Sequence, residues 1–470
     1  MRSMNRRDFM KLTSMAVGGA ALAACAPAAA PSGGASTGAA EPAAEQVTVT
    51  YLIRTDIGAG ITEWTKASSE EFEQLRPDIK IEQVGVPWGD YNAKMLAMFA
   101  AGTPPEITAN YAAGFPTFYA NGAITPLDDL VASTDSDLSI IEGAAINAVT
   151  RDGKLWALPL AHMPVLAFYN KALFDEAGVP VPPSDASDTS WTLDKMFESA
   201  TALSHDVDDP TKAAWGMVFP AGQLGVYSWG WGIDPFNDKG GPELTEAYQT
   251  GKLSAAYYDR PEMAEYFQWI VDLTHKYGVA PRPSDTDAMT QTSGWPLMTG
   301  RIAMFVDGAW QITNFVTVQP EWEWGLAPMP YGPAGVNTPP LFNDSWMLSE
   351  GAAQPEAGFD FLKYLALENG AKLYAELTGF FPANKDNYGV FFDATMAIPS
   401  FAMTREELEQ VFASSFALGY PTPGKTLENY PELNTAFNQT TAPIWNAETP
   451  VAEGLVGLQA QMDTIIATHA

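Results

Sequence analysis

The sequence contains a single cysteine, Cys25, among 470 residues. A chain with one thiol forms no internal disulfide and no cysteine-based metal site. Histidine is nearly as scarce, because only His162, His205, His275 and His469 are present, and no two of them stand at the spacing of a metal-binding pair on a helix. We therefore predict neither a metal ion nor a cofactor.

Basic residues are also few, since 25 Lys and Arg oppose 56 Asp and Glu and leave a formal net charge of −31. Residues 1–24 carry four basic residues and one acidic residue, so the remainder of the chain stands at −34. A surface this acidic repels nucleic acid and anionic lipid headgroups. It also disfavours anionic ligands, because we find no local basic cluster that would override the field.

The apolar stretch near the N-terminus, residues 12–24, is shorter than the roughly 20 residues that a membrane span requires. It follows the pair Arg6 and Arg7 and ends in Leu-Ala-Ala before Cys25, a pattern similar to a bacterial lipobox. We predict a twin-arginine-like signal peptide at 1–24, lipidation of Cys25, and a flexible Ala-, Pro-, Gly- and Ser-rich tether at 25–46. An ordinary signal peptide with an incidental cysteine is the alternative.

About 425 residues follow the tether, more than one hydrophobic core usually supports, which favours two lobes. Apolar patterning predicts strands at 47–53 and 79–86, a helix between them ended by Pro77, a helix capped by Asp90, and a third strand from Ile107. Helices are also predicted at 192–204 and 261–276. Alternating strands and helices indicate right-handed βαβ units and a parallel sheet.

Residues 298–310 are the most informative stretch. The apolar run at 302–306 predicts a buried strand of a parallel sheet, which Asp307 and Gly308 end before a helix that starts near Trp310. Ligands of open α/β sheets bind at the carboxyl ends of strands. An indole face beside a carboxylate suits a sugar ring and its hydroxyls. In the alternative interpretation Trp310 is a core residue and Asp307 a helix cap.

Catalytic patterns are not supported. Residues 419–426 match the phosphate-binding P-loop expression, but Pro421 and Pro423 lack the N–H groups with which such a loop binds phosphate. Residues 34–38 match a nucleophile elbow, yet they lie in the tether with no strand before them. The acidic loop 234–241 fails the spacing of a calcium-binding EF-hand. The sequence therefore does not predict an enzyme.

Several motifs in sequence order resemble extracellular solute-binding proteins of ABC importers, in the carbohydrate-binding cluster (family 1) that includes maltose-binding protein. They are PWGDYNAKML at 87–96, FAAGTPPE at 99–106, FYANGAI at 118–124, PLDDL at 126–130, DGKLWALP at 152–159, YNKALFDEAG at 169–178, residues 298–310, WGLAPMP at 324–330, NDSWMLS at 343–349 and FPAN at 381–384. The likeness extends from about residue 47 to the C-terminus. Two segments depart from it: 343–346 lacks glycines that many relatives carry, and 381–384 lacks a basic residue that some have.

The resemblance implies a two-lobed α/β fold of the periplasmic-binding-protein type II, in which each lobe is a mostly parallel sheet flanked by helices and the ligand cleft lies between the lobes. The N-terminal lobe would comprise 47–158 and 347–400, and the C-terminal lobe 159–346 and 401–470. Three crossings are expected near 155–163, 342–349 and 398–403. Residues 158–159 and 343–344 would form the hinge floor.

The function implied by the resemblance is that of a lipid-anchored, monomeric extracytoplasmic receptor that captures a neutral sugar or oligosaccharide by hinge closure and delivers it to an ABC importer permease. Trp310 would stack on a sugar ring, and Asp307, Asp344 and Asn343 would bind hydroxyls. Further candidates for the cleft wall are Trp346, Trp229, Trp231, Trp88, Tyr111 and Asp56. The alternatives are a non-sugar solute (a peptide, polyamine or sugar phosphate) or, from another class, a surface glycoside hydrolase or lyase.

Overall fold

The computed structural model describes residues 46–469 except 57, 110–114, 210–211 and 239. The predicted signal peptide, Cys25, Tyr111 and all but the last residue of the tether lie outside the described residues. Within the described part of the chain, no helix has both the length and the apolar character needed to cross a bilayer.

The strands alternate with helices along the first half of the chain. The strands are β1 (Val47–Arg54), β2 (Ile79–Val86), β3 (Ile107–Ala109), β4 (Thr150–Arg151), β5 (Lys154–Leu155), β6 (Leu158–Asn170), β7 (Trp215–Val218), β8 (Ile302–Gly308), β9 (Trp324–Ala327), β10 (Pro340–Leu348) and β11 (Tyr420–Pro421).

The α-helices flank these strands and also form the C-terminal part of the chain. They are α1 (Ala59–Leu75), α2 (Trp88–Ala100), α3 (Phe115–Ala120), α4 (Asp128–Ser133), α5 (Gly143–Ala148), α6 (Lys171–Ala177), α7 (Leu193–Leu203), α8 (Glu246–Thr250), α9 (Pro261–His275), α10 (Pro283–Ser293), α11 (Ile312–Val318), α12 (Pro355–Leu367), α13 (Asn369–Leu377), α14 (Tyr388–Met396), α15 (Arg405–Leu418), α16 (Tyr430–Trp445) and α17 (Val451–His469). Short 3₁₀ turns lie at Leu138–Ile140, Gln223–Trp231, Pro242–Leu244, Pro296–Thr299, Ala309–Gln311, Lys385–Asn387 and Pro423–Lys425.

Nine of the strands in the described residues form one sheet, with the order β2-β1-β3-β10-β6-β8-β7; β9 pairs with β6 and β11 with β10. The pairs β1–β2, β1–β3 and β7–β8 are parallel, as expected from the βαβ pattern. The pairs that β10 makes with β3 and β6, and that β6 makes with β8 and β9, are antiparallel. The sheet is therefore mixed where these two long strands join its halves.

Strands β6 and β10 connect the two halves of the sheet. The first half of β6, from Leu158 to Pro164, pairs with β10, whereas Val165 to Asn170 pairs with β8 and β9. All 13 residues of β6 are buried. A strand buried on both faces reads as a continuous apolar run, which is how Leu158–Asn170 appears in the sequence.

Two large hydrophobic clusters pack against the sheet. One contains Tyr51 of β1, Trp346 of β10 and Phe168 of β6, and the other contains Ala167 and Tyr169. Because successive side chains of a strand point to opposite faces, β6 contributes to both clusters. The core is thus divided by the sheet.

Most predicted element positions are confirmed, including β1, β2, α7 and α9. Two details are wrong. The helix predicted to begin at Asp90 begins at Trp88, with Pro87 at the capping position, because proline favours the extended backbone that precedes a helix and leaves Asp90 in the first turn. The strand at 302–306 has a parallel neighbour on one side only, since β6 runs antiparallel to it.

Candidate functional site

A cavity of about 570 Å³, which we call the Trp310 cavity, lies where β1 and β8 end. It is lined by Arg54, Asp56, Gly58, Gln223, Gly294, Trp310, Gln311, Thr313, Asn314, Phe342, Asp344 and Phe380. These residues come from six separate segments of the chain, so only the folded sheet brings them together. Carboxyl ends of strands are the expected place for a ligand in an α/β protein.

Trp310 is held in the cavity wall by its neighbours. A Cβ atom on Gly308 would lie only 1.9 Å from the indole ring, so the ring packs directly over the glycine backbone. Gly308 has an ordinary φ of −74°, which means that the ring, and not the backbone conformation, requires glycine here. Phe342 of β10 meets the indole edge to face, with ring centroids 4.6 Å apart. Together Trp310 and Phe342 give the cavity an aromatic wall.

Asp307 supports this wall from behind. Its Oδ1 accepts a hydrogen bond from Gly308 N at 2.7 Å, and its Oδ2 accepts one from Gln311 Nε2 at 2.7 Å. Gln311 in turn accepts a hydrogen bond from the side-chain amide of Asn314. Burial raises the pKa of Asp307 to about 6, although both hydrogen bonds oppose the rise. Gln311 and Asn314 therefore line the cavity, while Asp307 lies behind them and holds Gln311 in place.

Asp344 lies on the floor of the cavity and is paired with a lysine. Lys425 Nζ donates to Asp344 Oδ1 at 2.8 Å, and the lysine side chain is only 3 % exposed. At the mouth of the cavity Arg54 Nε donates to Asp56 Oδ1, also at 2.8 Å. The two carboxylates in the lining are thus each matched by a cation. The charges of these four groups sum to zero in a chain whose formal net charge is −31.

Of the predicted site residues, Trp310, Asp344 and Asp56 line the cavity. Trp88 begins α2, and only its backbone is described. The structure does not bring Trp346 or Trp229 to the cavity.

Trp346 and Trp229 are core residues. Trp346 is fully buried, donates from Nε1 to Tyr51 Oη at 2.6 Å and meets Trp64 edge to face. Trp229 is 1 % exposed and donates from Nε1 to Asp234 Oδ2 at 2.6 Å. Trp346 belongs to one of the two hydrophobic clusters and Trp229 to the other, where a large apolar side chain contributes most to stability.

The side chains of Trp231 and Asn343 also do not line the Trp310 cavity. Trp231 packs against Tyr266 and Trp269. Asn343 is 4 % exposed, and its Nδ2 donates to Ala145 O at 3.1 Å. Phe342 and Asp344 line the cavity while Asn343 between them does not, because alternate residues of a strand point to opposite faces.

A second cavity of about 780 Å³ is lined by Leu341 of β10 and by His162 of β6, and we call it the His162 cavity. His162 stacks on Phe416 with ring centroids 5.0 Å apart, and burial lowers the pKa of its imidazole to about 4. The ring is therefore neutral near pH 7. The cavity is the larger of the two, but it lacks both Trp310 and the ends of β1 and β8, so we assign the candidate site to the Trp310 cavity.

Sequence reasoning missed several lining residues. Asn314 stands four residues after Trp310 and three after Gln311, so helical spacing is a signal that would have found Asn314 and, from it, Gln311. Gln223, Phe342 and Phe380 have no such signal, because nothing in their local pattern distinguishes them from other loop and strand residues.

Comparisons with known proteins place the chain in a family. Residues 67–397 match the family model described as bacterial extracellular solute-binding protein. Among curated relatives, the maltodextrin-binding protein MdxE of Bacillus subtilis is 24 % identical over 303 residues, which are 64 % of this chain and 63 % of the relative. The xylose/arabinose-binding protein XacG of Haloferax volcanii is 22 % identical over 407 residues, covering 85 % and 81 % of the two chains.

Solved structures share the fold. An ABC substrate-binding protein from Listeria monocytogenes in complex with cycloalternan superposes with a TM-score of 0.73 at 20 % identity, over 90 % of this chain and 99 % of that one. Maltose-bound MalE3 of T. maritima gives a TM-score of 0.69 at 19 % identity, over 89 % and 100 %. The fold is the two-lobed α/β fold of these proteins, as the sequence predicts. With its family model covering well over half of the sequence, this chain belongs to the bacterial extracellular solute-binding proteins.

Proposed function

We propose that this protein captures a neutral sugar or oligosaccharide in the Trp310 cavity and delivers it to the permease of an ABC importer. The observation that carries the proposal is the aromatic wall of Trp310 and Phe342 beside two ion pairs, Lys425–Asp344 at the floor and Arg54–Asp56 at the mouth. An aromatic face contacts the C–H face of a sugar ring, while carboxylate and amide groups satisfy its hydroxyls. Names of relatives that bind maltodextrin and xylose or arabinose support the same ligand class.

Capture proceeds by hinge closure. We propose that the N-terminal lobe comprises 47–158 and 347–400 and the C-terminal lobe 159–346 and 401–470. Arg54 and Phe380 then belong to one lobe, and Trp310 and Gln223 to the other, so a ligand in the cavity contacts both. A ligand that touches both lobes only in the closed form shifts the equilibrium toward that form. Strands β6 and β10 each contain a proposed lobe boundary and pair with each other, so we propose that they are the connection about which the lobes rotate.

Within the cavity, Trp310 stacks on a sugar ring, and Asp344 accepts a hydrogen bond from a sugar hydroxyl. Gln311 and Asn314 provide amide groups of both hydrogen-bonding kinds, and Gln223 provides another from the facing segment. Amides and paired carboxylates recognise hydroxyls without requiring a charged ligand. This arrangement favours a neutral sugar over a polyamine or a sugar phosphate.

The lipid anchor belongs to the same proposal. Cys25, after its lipobox-like sequence, carries the lipid, and residues 26–46 connect it to β1. The receptor is then monomeric and extracytoplasmic, and it contacts the membrane only through the acyl chains.

A thermal-shift screen of the purified protein tests the ligand class. The panel contains neutral mono- and oligosaccharides, amino sugars, polyamines, short peptides and sugar phosphates. A ligand that binds only the folded state, and is present at a concentration of about 100 times its dissociation constant, stabilises the folded state by about 2.7 kcal/mol. Neutral sugars that bind should therefore raise the melting temperature. A response confined to polyamines, peptides or phosphates contradicts the proposal. Chromatography of the recovered sugar must show it unchanged, since any product would indicate a hydrolase or lyase.

A further inference from the structure

We propose that Lys425 is a positioning residue that makes the Trp310 cavity selective for neutral over cationic ligands, by supplying the positive charge that Asp344 would otherwise take from a ligand. The inference rests on the proposed function and adds a determinant of its specificity. Lys425 lies outside the lining of the cavity and acts through Asp344.

The segment that holds Lys425 is fixed on several sides. Lys425 N donates to Thr422 O at 3.0 Å, and Thr422 Oγ1 donates to Gln223 Oε1 at 2.9 Å. A Cβ atom on Gly424 would lie 2.3 Å from the same Gln223 oxygen. Residues 422–425, within the P-loop-like segment 419–426, thus form a tight turn that packs against the cavity residue Gln223. Their lysine reaches a carboxylate of β10 and not a phosphate.

A buried ammonium is costly unless it is paired, so its presence beneath the cavity requires an explanation. Lys425 is 3 % exposed, and Asp344 is the carboxylate it contacts. In a chain of net charge −31 the surrounding field attracts cations. A lone Asp344 on the cavity floor would strengthen that attraction and provide a binding point for an ammonium group.

With Lys425 in place, Asp344 Oδ1 is occupied and the carboxylate is held in one orientation. Its other oxygen accepts a hydrogen bond from a ligand hydroxyl, and such a bond to a charged acceptor is stronger than one between neutral groups. A ligand ammonium at the same position would meet the charge of Lys425. The pair therefore favours a hydroxyl and disfavours an amine at this point of the cavity.

The test compares dissociation constants by calorimetry for the neutral sugar that gives the largest thermal shift and for its mono-amino derivatives. The proteins are the wild type, Lys425→Met, the double variant Asp344→Asn with Lys425→Met, and Lys252→Met as an exposed-lysine control. In Lys425→Met we expect affinity for the neutral sugar to fall at least about tenfold, a change of about 1.4 kcal/mol. The preference for the neutral sugar over the best amino derivative should also fall at least about tenfold. Lys252→Met should change neither.

The ratio of the two dissociation constants separates this role from a structural one, because general loosening of the fold weakens both ligands alike. The double variant has neither charge, so it should fold even if Lys425→Met does not, and it should not prefer the amine. If the ratio in Lys425→Met is unchanged, the inference is overturned while the proposed function stands. If Lys425→Met does not fold, a preference of the double variant for the amine overturns the inference in the same way. If no neutral sugar binds the wild type, the proposed function fails and the inference fails with it.

Discussion

Lys425 and Asp344, 81 residues apart in sequence, form a buried ion pair with Nζ and Oδ1 separated by 2.8 Å. Asp344 belongs to the long strand β10, and Lys425 follows the short strand β11 that pairs with it. The contact therefore fixes the C-terminal segment to the strand that crosses the middle of the sheet. It places both charges where water has little access.

Removal of one partner of this pair should destabilise the fold strongly. Lys425→Met or Asp344→Asn alone is expected to lower the free energy of unfolding by about 3–5 kcal/mol, because each leaves an uncompensated buried group. The double variant should lose much less free energy of unfolding than the two single variants lose in sum. Urea denaturation of the four proteins gives the coupling free energy, and additive single effects would contradict a coupled pair.

Trp310→Ala should weaken sugar binding by about 2–4 kcal/mol, because a desolvated aromatic anchor is typically a dominant contact. Calorimetry with the ligand found in the thermal-shift screen measures the loss. Trp322→Ala is the matched control, since Trp322 is partly exposed, packs against Phe315 and does not line the cavity. Equal affinity in wild type and Trp310→Ala would remove this indole from the site.

Gly308→Ala should also lower affinity, although it adds only one methyl group. The new Cβ would overlap the Trp310 ring at 1.9–2.1 Å from three of its atoms, so the indole must move from the cavity wall. We expect a loss of at least about tenfold in affinity, or about 1.4 kcal/mol. Gly143→Ala is the control, because a Cβ there meets nothing within 4 Å. A crystal structure with the indole unmoved would refute the explanation.

Stability should depend on pH through Asp234. Burial raises the pKa of Asp234 to about 7, from an ordinary value near 4, while Trp229, Tyr248 and Phe236 donate hydrogen bonds to its carboxylate. Between these two values the folded protein binds a proton that the unfolded chain has released. The contribution of Asp234 to the free energy of unfolding therefore rises as the pH falls from about 7 toward 4, by at most about 1.4 kcal/mol per pH unit.

Denaturation at pH 8 and pH 5 measures this contribution. Compared with Asp234→Asn, which cannot titrate, the wild type should gain about 2 kcal/mol on acidification from pH 8 to pH 5. Asp259→Asn, at an exposed position, should retain the wild-type dependence. Parallel pH profiles of wild type and Asp234→Asn would show that Asp234 does not titrate in this window. Asp307 contributes with the same sign over the narrower window between about 4 and 6.

Cys25→Ala should release the protein from the membrane when the full chain is expressed in a bacterial host that lipidates exported proteins. The variant has no thiol, and attachment of the acyl chains to the first mature residue requires one. Incorporation of labelled palmitate and fractionation of the cells measure the effect, with Pro27→Ala as the control. Labelled Cys25→Ala protein would place the lipid elsewhere.

The local sequence pattern predicts the positions of several strands and helices, but it does not predict which side chains form the cavity wall. Strands β1 and β2 and helix α9 follow from the period of their apolar residues and from proline positions, which depend on neighbours in sequence. Trp229 and Trp310 both stand near glycines, and the sequence does not distinguish them. Trp229 is buried and donates to Asp234, whereas Trp310 lines the cavity, because the exposure of each ring depends on its tertiary packing.

Strand β10 shows the same limit. Asp344 lines the Trp310 cavity, whereas the neighbouring Asn343 contacts Ala145 on the opposite face. Side chains of any strand alternate between its two faces. Which residues face which side can be predicted from sequence only where one face is polar and the other apolar. Most of β10 is buried, with no exposed face from which the phase could be assigned.

The sequence alone determined the alternation of strands and helices, the position of Trp310 beyond β8 and the family resemblance, because periodicity, turn residues and motif order are properties of neighbouring residues. The side chains that meet in the cavity, and the cation that pairs with Asp344, depend instead on the packing of segments far apart in sequence. Lys425 reaches that carboxylate because β11 pairs with β10, a contact between segments about 80 residues apart that no local pattern specifies.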